Sequence, residues 1–364
     1  MSARITIILC ALAGLACLGL FFQRRGQPEV RNSAPPPPPP ARTAPLLLDT
    51  APLGELSLSA GGLLAGNSRG EVLFFPAGAG AAAPVVRKLS DSAITAPVLE
   101  QHGVYYVGDE SGVFRACSTA GQVLWSYATG SRITGGALYS RGTVFVGSYD
   151  QVLYAFEAAS GKLQFKYECG DSINGTPALS ETQQALYLNS CDGIFRKIAL
   201  PSGELSASLD LSSPLPASPL LAGEILYVLT HQGELLALQA ADLSVIYRVQ
   251  TPDTYLSSPY AAGEFLFLTT ADGAIQVHSR DSGERLGALE TSEEMTPLQA
   301  ARDGRCFALS IRGKVFAYRR QDNAWQRELL ADLKSDFRQS CRLAGDILYA
   351  ADSSGGLFYC RIAK

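Results

Sequence analysis

The feature that most constrains this chain is a unit of about 40 residues repeated along most of its length, a period that signals a solenoid, propeller or other array. Its tightest markers are short apolar segments at LLAG 63–66, VYYVG 104–108, TVFVG 143–147, ALYLN 185–189, ILYVL 225–229, FLFLT 265–269, CFALS 306–310 and ILYAA 347–351. Each runs into a polar or Gly-bearing turn: NSRG, DESG, SYDQ, SCDG, THQG, TADG, SIRG and SSGG. A second apolar segment follows, from EVLFFP in the first unit to GLFYCR in the last. β-Branched and aromatic residues dominate both segments, so each unit contains a β-hairpin.

Two further strands flank each hairpin. The preceding segment often carries proline, and the equivalent positions are Ser57, Pro97, Ala137, Pro177, Pro219, Pro259, Pro297 and Cys341, spaced by 38 to 44 residues. The following strand is clearest in VLWSYA 123–128, LQFKYE 163–168 and VIYRVQ 245–250. Four antiparallel strands per unit is a propeller blade. The pattern predicts an all-β chain whose residues 46–364 form an eight-bladed propeller of four-stranded antiparallel blades. The eighth unit ends after its third strand, and LLLDTA 46–51 is the candidate for its missing fourth. Such closure removes the exposed edges of an open array. A solenoid, or seven blades with decoration, is the competing arrangement.

The length of 364 residues alone would suggest two or three domains, and the repeat replaces them with one. Hydrophobic residues make up 47% and charged residues 18%, which excludes a disordered chain, while Gly 35 and Pro 20 leave little room for long helices. The net charge of -4 is uneven: residues 1–45 carry five arginines and one glutamate, and the remainder is acidic. An acidic body argues against a nucleic-acid partner.

Residues 5–22, ITIILCALAGLACLGLFF, are 18 uncharged apolar or small residues, the short end of a membrane-spanning helix. Gln23-Arg24-Arg25 follows where a small-residue cleavage site would stand, so the expectation is a signal anchor over 1–25 that ties the chain to a membrane. A cleaved signal peptide and lipidation at Cys17 are the alternatives. Arg24, Arg25 and Arg31 after the span outnumber Arg4 before it, which read literally puts the body in the cytoplasm. The short tail and the large folded body weaken that rule, and the expected location is outside the cytoplasm, in the periplasm. Residues 26–45 contain Pro35 to Pro40 and form a Pro-rich linker, a stiff polyproline II spacer.

The stretch AFEAASGKLQF 155–165 resembles the pyrroloquinoline-quinone-type propeller repeat, AxDxxxGxxxW, through Ala155, Gly161 and Lys162, with Glu157 in place of Asp and Phe165 in place of Trp. ACSTAGQVLW 116–125 keeps Ala116, Gly121 and Trp125 but is one residue shorter. The resemblance implies blade-to-blade packing by this motif, and membership of the quinoprotein-like propellers. In the catalytic dehydrogenases of that superfamily, vicinal cysteines lie over the quinone, beside a calcium site. No two cysteines are adjacent here. The resemblance therefore points to the non-catalytic, BamB-like branch, with no bound cofactor.

No GxSxG elbow, GxxxxGK[ST] loop or CxxC pair occurs, and His102, His231 and His278 are far apart, so no catalytic residue or metal ligand set is assigned. Asp109, Asp150, Asp192 and Asp272 recur in the turns; turn chemistry explains single acids better than calcium, which takes several oxygens. Cys169 lies in the link into blade 4 and Cys191 in a turn of the same blade, on one face, so a disulfide is expected, with two free thiols as the alternative. Cys117 and Cys306 fall on apolar strand positions and are expected to be buried. Arg132, Asn174, Glu293, Glu294 and Arg338 are the candidate contacts at the channel mouth, against the alternative that they are simply solvated. The function expected is a membrane-anchored, extracytoplasmic scaffold that binds protein partners of the cell envelope and is not an enzyme. An outer-membrane assembly role, or quinone-dependent oxidation, is the alternative.

Overall fold

A computed structural model describes residues 46–47, 54–76, 84–298, 300–338, 341–344, 347–354 and 356–362. The expected anchor, 1–25, and linker, 26–45, lie outside them. Among the described residues, no helix is long and apolar enough to cross a membrane.

The described strands form eight four-stranded antiparallel sheets, each a blade. Blade 3 is typical: Leu138–Ser140, Thr143–Gly147, Val152–Glu157 and Leu163–Glu168 pair in that order. The second and third strands are the segments that mark the repeat. Their residues read as apolar runs because both faces are covered by neighbouring blades. In blade 2, Tyr105 and Val107 pack on Leu64 and Val72 of blade 1. Tyr106, Phe114 and Ala116, on the other face, pack on Val144, Val146 and Phe156 of blade 3. Eight such clusters occur among the described residues, one at each junction between successive blades and one between the last and the first. The core is thus a ring of interfaces, and burying each large side chain contributes about 2 kcal/mol. The fourth strands face solvent and alternate, as in Leu205–Asp210.

The proline-bearing segments lead into the first strands and do not themselves form them. Pro97, Pro177 and Pro219 stand just before Leu99–Gln101, Ala178–Ser180 and Leu220–Ala222. Each first strand is three residues long, and a proline lacks the N–H that pairing requires.

Closure occurs as the repeat predicts. Leu46 and Leu47 pair antiparallel with Leu357 and Gly356, giving blade 8 its fourth strand. Residues 48–51 of the expected LLLDTA strand lie outside the described residues. The junction is reinforced by Arg342, whose Nε donates to Leu56 O at 2.9 Å and whose guanidinium pairs with Glu55. Leu56, Leu63 and Phe75 of blade 1 share a core with Ile347, Tyr349 and Leu357 of blade 8.

A second device joins successive blades near their outer edge. Trp125, Phe165, Ala207, Tyr247, Gly287 and Glu328 occupy equivalent fourth-strand positions in blades 2 to 7, opposite Ala116, Ala155, Lys197, Ala237, Val277 and Ala317. Trp125 Nε1 donates to Ala158 O of blade 3 at 2.8 Å, and Tyr247 Oη donates to Arg280 O of blade 6 at 3.1 Å. Phe165 lies against Gly203 of blade 4. Where blade 4 has Ala207, the opposing Lys197 extends its Nζ to Ala241 O of blade 5, at 2.5 Å. These positions include the tryptophan position of the motif noted in the sequence, and where they carry Trp125, Phe165 and Tyr247 they lock one blade to the next, whereas Gly287 and the exposed Glu328 do not.

Candidate functional site

The links into the first strands and the turns between second and third strands share one face of the propeller. Six turns are closed by the side chain of the residue that follows the second strand, Asn67, Asp109, Thr230, Thr270, Ser310 and Asp352, whereas after Ser148 and Ser190 the aspartate two residues on does so, Asp150 accepting from Val152 N–H and Asp192 from Ile194 N–H. Asp109 Oδ1 accepts from the N–H groups of Ser111 and Val113, both at 3.0 Å. Asn67 Oδ1 accepts from Arg69 and Glu71, Thr230 Oγ1 from Glu234 and Ser310 Oγ from Lys314. Short side chains that bond the backbone a few residues on are favoured in turns for this reason. The eighth turn accordingly begins at Asp352, one residue earlier than the SSGG reading, because Asp352 Oδ1 accepts from Ser354 and Gly356.

The four recurrent acids fall into two positions. Asp109 closes its turn directly. Asp150, Asp192 and Asp272 stand two residues further along. Asp150 Oδ2 accepts from Gly130 N–H at 2.6 Å, and Asp192 Oδ2 from Gly170 N–H at 2.8 Å, so both tie a link to a turn. Asp192 also pairs with Arg196 at 2.6 Å, and Asp109 with Arg115. Burial pushes both carboxyls up. Hydrogen bonds from Ser111, Ser90, Val113 N–H and Arg115 outweigh it at Asp109, and those from Arg196, Ser190, Ile194 N–H and Gly170 N–H do so at Asp192. Both acids end below the ordinary carboxylate range. Among the described residues, no group of three or more His, Cys, Asp or Glu side chains is placed to hold a metal ion.

The five candidate contacts do not form one site. Arg132 is exposed in the link into blade 3, its guanidinium 4.0 Å above the Tyr149 ring. Asn174, in the link into blade 4, donates from Nδ2 to Cys191 Sγ at 3.2 Å. Glu293 closes onto blade 7, accepting from Ser310 Oγ at 2.8 Å and pairing with Lys314, which is foremost in holding its carboxyl below the usual range. Glu294 and Arg338 do come together. They border a cleft of about 520 Å³ spanning blades 6, 7 and 8.

The cleft mixes apolar side chains with Ser and Thr residues and carries charges of both signs. Leu256, Met295, Pro297, Ile311 and Phe337 line it, with Glu294, Asp336 and Arg338 around them. Met295 and Phe337 are buried, whereas Leu256 is 59% exposed. Ile311 holds the second position of a turn, where Glu110, Cys191 and Ala271 stand in other blades. Leu256, Ile311 and Phe337 were missed in the sequence. The available signal was an apolar side chain in a turn that needs none.

The link and turn of blade 4 share a face as expected, for Cys191 N–H donates to Ser172 O at 3.0 Å. Their thiols have different surroundings. Cys169 is buried among Ser190, Asp192 and Arg196, while Cys191 is partly exposed and meets Asn174. Both are free thiols in the structure. Cys117 and Cys306 are buried on their strands, as their positions predict.

A family profile described as outer membrane protein assembly factor BamB matches residues 109–208 and 192–363. Among solved structures, the crystal structure of BamB from Moraxella catarrhalis superimposes with a TM-score of 0.73 at 16% identity, covering 88% of this chain and 97% of that one. The computationally designed Ika8 protein superimposes with a TM-score of 0.74 at 13% identity, covering 88% of this chain and 100% of its own. No curated protein matches this chain in sequence.

Proposed function

Because this chain belongs to the BamB family of PQQ-like propellers, we propose that it is a protein-binding scaffold of the cell envelope that binds without catalysing a reaction. The observation that carries this reading is the cleft at blades 6 to 8. It sets the exposed Leu256 beside Pro297 and Ile311, among Ser and Thr residues, and adds opposite charges, Glu294 and Arg338. Such a mixture of apolar, polar and charged groups suits a protein partner. The surrounding turn side chains Thr270, Ser310 and Asp352 are engaged in closing turns, which favours a rigid platform over a reactive site. The finer reading is that the propeller is held at a membrane by residues 1–25, lies in the periplasm, and serves assembly at the outer membrane, as the name of its family describes. The apolar run at 5–22 supports the tether.

The test is site-specific photo-crosslinking in cells from Leu256, Ile311 and Arg338, with Val123 on the opposite rim as control. The scaffold reading expects one envelope protein joined from the cleft positions only, and its loss on Arg338→Glu. Equal crosslinking from Val123, or none from the cleft, would overturn it.

A further inference from the structure

A groove of about 1180 Å³ opens between blades 6 and 7, on the face opposite the cleft. Its two walls are of unequal length. The third and fourth strands of blade 7, Lys314–Gln321 and Ala324–Asp332, have eight and nine residues, against five and four for Ile275–Ser279 and Arg285–Ala288 in blade 6. At the junction of blades 3 and 4 the corresponding space is about 150 Å³.

Charged residues of both signs border the groove, and strand register sorts them. Arg302, Arg305 and Arg319 stand in a row across three strands of blade 7, on the sheet face that carries Phe307 and Ala317. That face packs on Leu348 and Ala350 of blade 8, so these three side chains start on the side away from blade 6. Arg305 accordingly lies 5.5 Å from the centre of the Phe307 ring, and Arg302 pairs with Asp303 at 3.2 Å. The arginines of blade 6 are turned away in the same manner. Arg280 lies 5.8 Å from the Tyr227 ring of blade 5, and Arg285 stands opposite His278, on the sheet face that Val277 does not share. Arg320 is the lining arginine that faces blade 6. It pairs with Glu264 at 3.6 Å and lies 4.7 Å from the centre of the Phe265 ring.

The acids are placed differently. Asp281 and Glu284 are exposed in a turn of blade 6, and Asp322 is exposed at the tip of the blade 7 hairpin. Among the described residues these three enter no ion pair. Tyr260, Phe265 and Trp325 also line the groove, the last two edge-on with ring centres 5.4 Å apart. Carboxylates on both rims, with aromatic rings in the same groove, suit a guanidinium, which pairs with the first and is attracted to the second. Arg320, held between Glu264 and Phe265, shows that arrangement within these walls.

We propose that the groove between blades 6 and 7 binds an extended, arginine-bearing segment of a partner protein, whose guanidinium groups pair with Asp281 and Glu284 on one rim and Asp322 on the other and lie against Trp325. Charge complementarity selects this occupant. An acidic segment would be repelled by the rims, and an apolar one would cover their carboxylates without replacing lost hydration. The inference shares the scaffold reading's premise that the propeller binds proteins, but it rests on a different face and different residues.

The test uses two dye-labelled peptides, Gly-Arg-Ser-Arg-Gly and Gly-Gln-Ser-Gln-Gly, both capped at their termini. They are titrated with the whole chain in detergent and read by fluorescence anisotropy. The arginine peptide is expected to bind saturably, at least about tenfold more tightly than the glutamine peptide at low salt, and less tightly as salt is raised. Asp281→Lys together with Glu284→Lys is expected to abolish that preference. Asp322→Asn, on the other rim, is expected to weaken it and keeps the test decisive if the double variant does not fold. Glu224→Lys together with Asp242→Lys makes the same change of charge in exposed turns of blade 5, on the same face, and is expected to leave the preference in place. Arg338→Glu, in the cleft, also leaves it in place, which separates this site from the first. Equal binding of both peptides overturns the proposal. So does a preference that survives the changes at Asp281, Glu284 and Asp322, or one that falls as far with the blade 5 changes.

Discussion

Trp125 of blade 2 lies so close on Gly161 of blade 3 that a Cβ at residue 161 would stand 2.6 Å from the indole ring. Gly161 also has φ of 72°, which an L side chain adopts at a cost. Gly161→Ala is therefore expected to destabilise the protein by about 2–4 kcal/mol, combining backbone strain with overpacking. Urea unfolding followed by circular dichroism checks this. Trp125→Phe keeps most of the packing but loses the bond to Ala158 O, and is expected to cost about 1 kcal/mol, net of partial repacking.

The turns offer a stabilising change. Their fourth residue is glycine in blades 1, 2, 4, 5, 6 and 7, always at positive φ, but in blade 3 it is Gln151, at 75°. Gln151→Gly is expected to raise stability by about 0.5–1 kcal/mol by relieving that strain, less the added freedom of the unfolded chain. An increase in the urea midpoint with unchanged slope is the expected reading. A fall would mean that the Gln151 side chain matters more than its backbone.

Acid should weaken the propeller through the turn carboxylates. Asp109 and Asp192 have folded pKa values below their unfolded ones, so their stabilisation is present above the unfolded pKa of about 3.9 and is lost as pH falls through it towards the folded value. Asp192→Asn is expected to lower stability at pH 7 by about 3 kcal/mol, because it leaves Arg196 largely buried without its charge partner. It is also expected to shrink the drop in urea midpoint between pH 6 and pH 3. An undiminished drop would assign acid sensitivity elsewhere.

His278 acts nearer neutrality. Burial pushes its imidazole below the ordinary 6.5, although its hydrogen bond to Gly283 O opposes this. The unfolded chain then binds the proton more readily, so stability present above about pH 6.5 declines as pH falls below it. The C2 proton of His278, followed by NMR, is expected to titrate below 6.5.

Thiol chemistry should sort the cysteines by burial. Burial pushes the thiols of Cys306 and Cys341 up to about 12, and those of Cys117 and Cys169 up to about 11. Cys191 is partly exposed. Brief alkylation of the folded protein at pH 8, mapped by mass spectrometry, is expected to modify Cys191 well before these four, since the thiolate is the reactive form. Rapid labelling of Cys169 would contradict the described packing.

The hairpins were legible because strands covered on both faces become apolar runs, as in Thr143–Gly147. The first strands were legible as flanking segments but not in their bounds, because three residues such as Ala178–Ser180 are too few to show a period. Closure could be inferred at Leu46–Leu47 only from the missing strand of blade 8. Turn neighbourhood was also readable, which placed Cys169 and Cys191 on one face, but the direction of each side chain depends on packing that no spacing records. Glu294 and Arg338 border one cleft because Ile311 bonds both links, its N–H to Glu294 O and its carbonyl to Phe337 N–H, whereas Arg132, Asn174 and Glu293 each find partners in their own blades. A glycine in a strand such as Gly287 has several ordinary explanations. Only the register places it level with Trp125, Phe165 and Tyr247.

Pairing Leu46 with Leu357 also sets a timetable for folding. The segment that leaves the ribosome early has its partner among residues made near the end. Blades 1 to 7 can gather as their own strands emerge, each dependent mainly on sequence-local contacts. The clasp must wait, since loop closure over that separation carries the largest entropic cost in the chain. Until then both flanks of the growing stack, the side of blade 1 that meets blade 8 and the side of blade 7 that meets it, stay wet and adhesive. A truncation that removes Gly356–Arg361 would therefore release the beginning of the domain as well as its end.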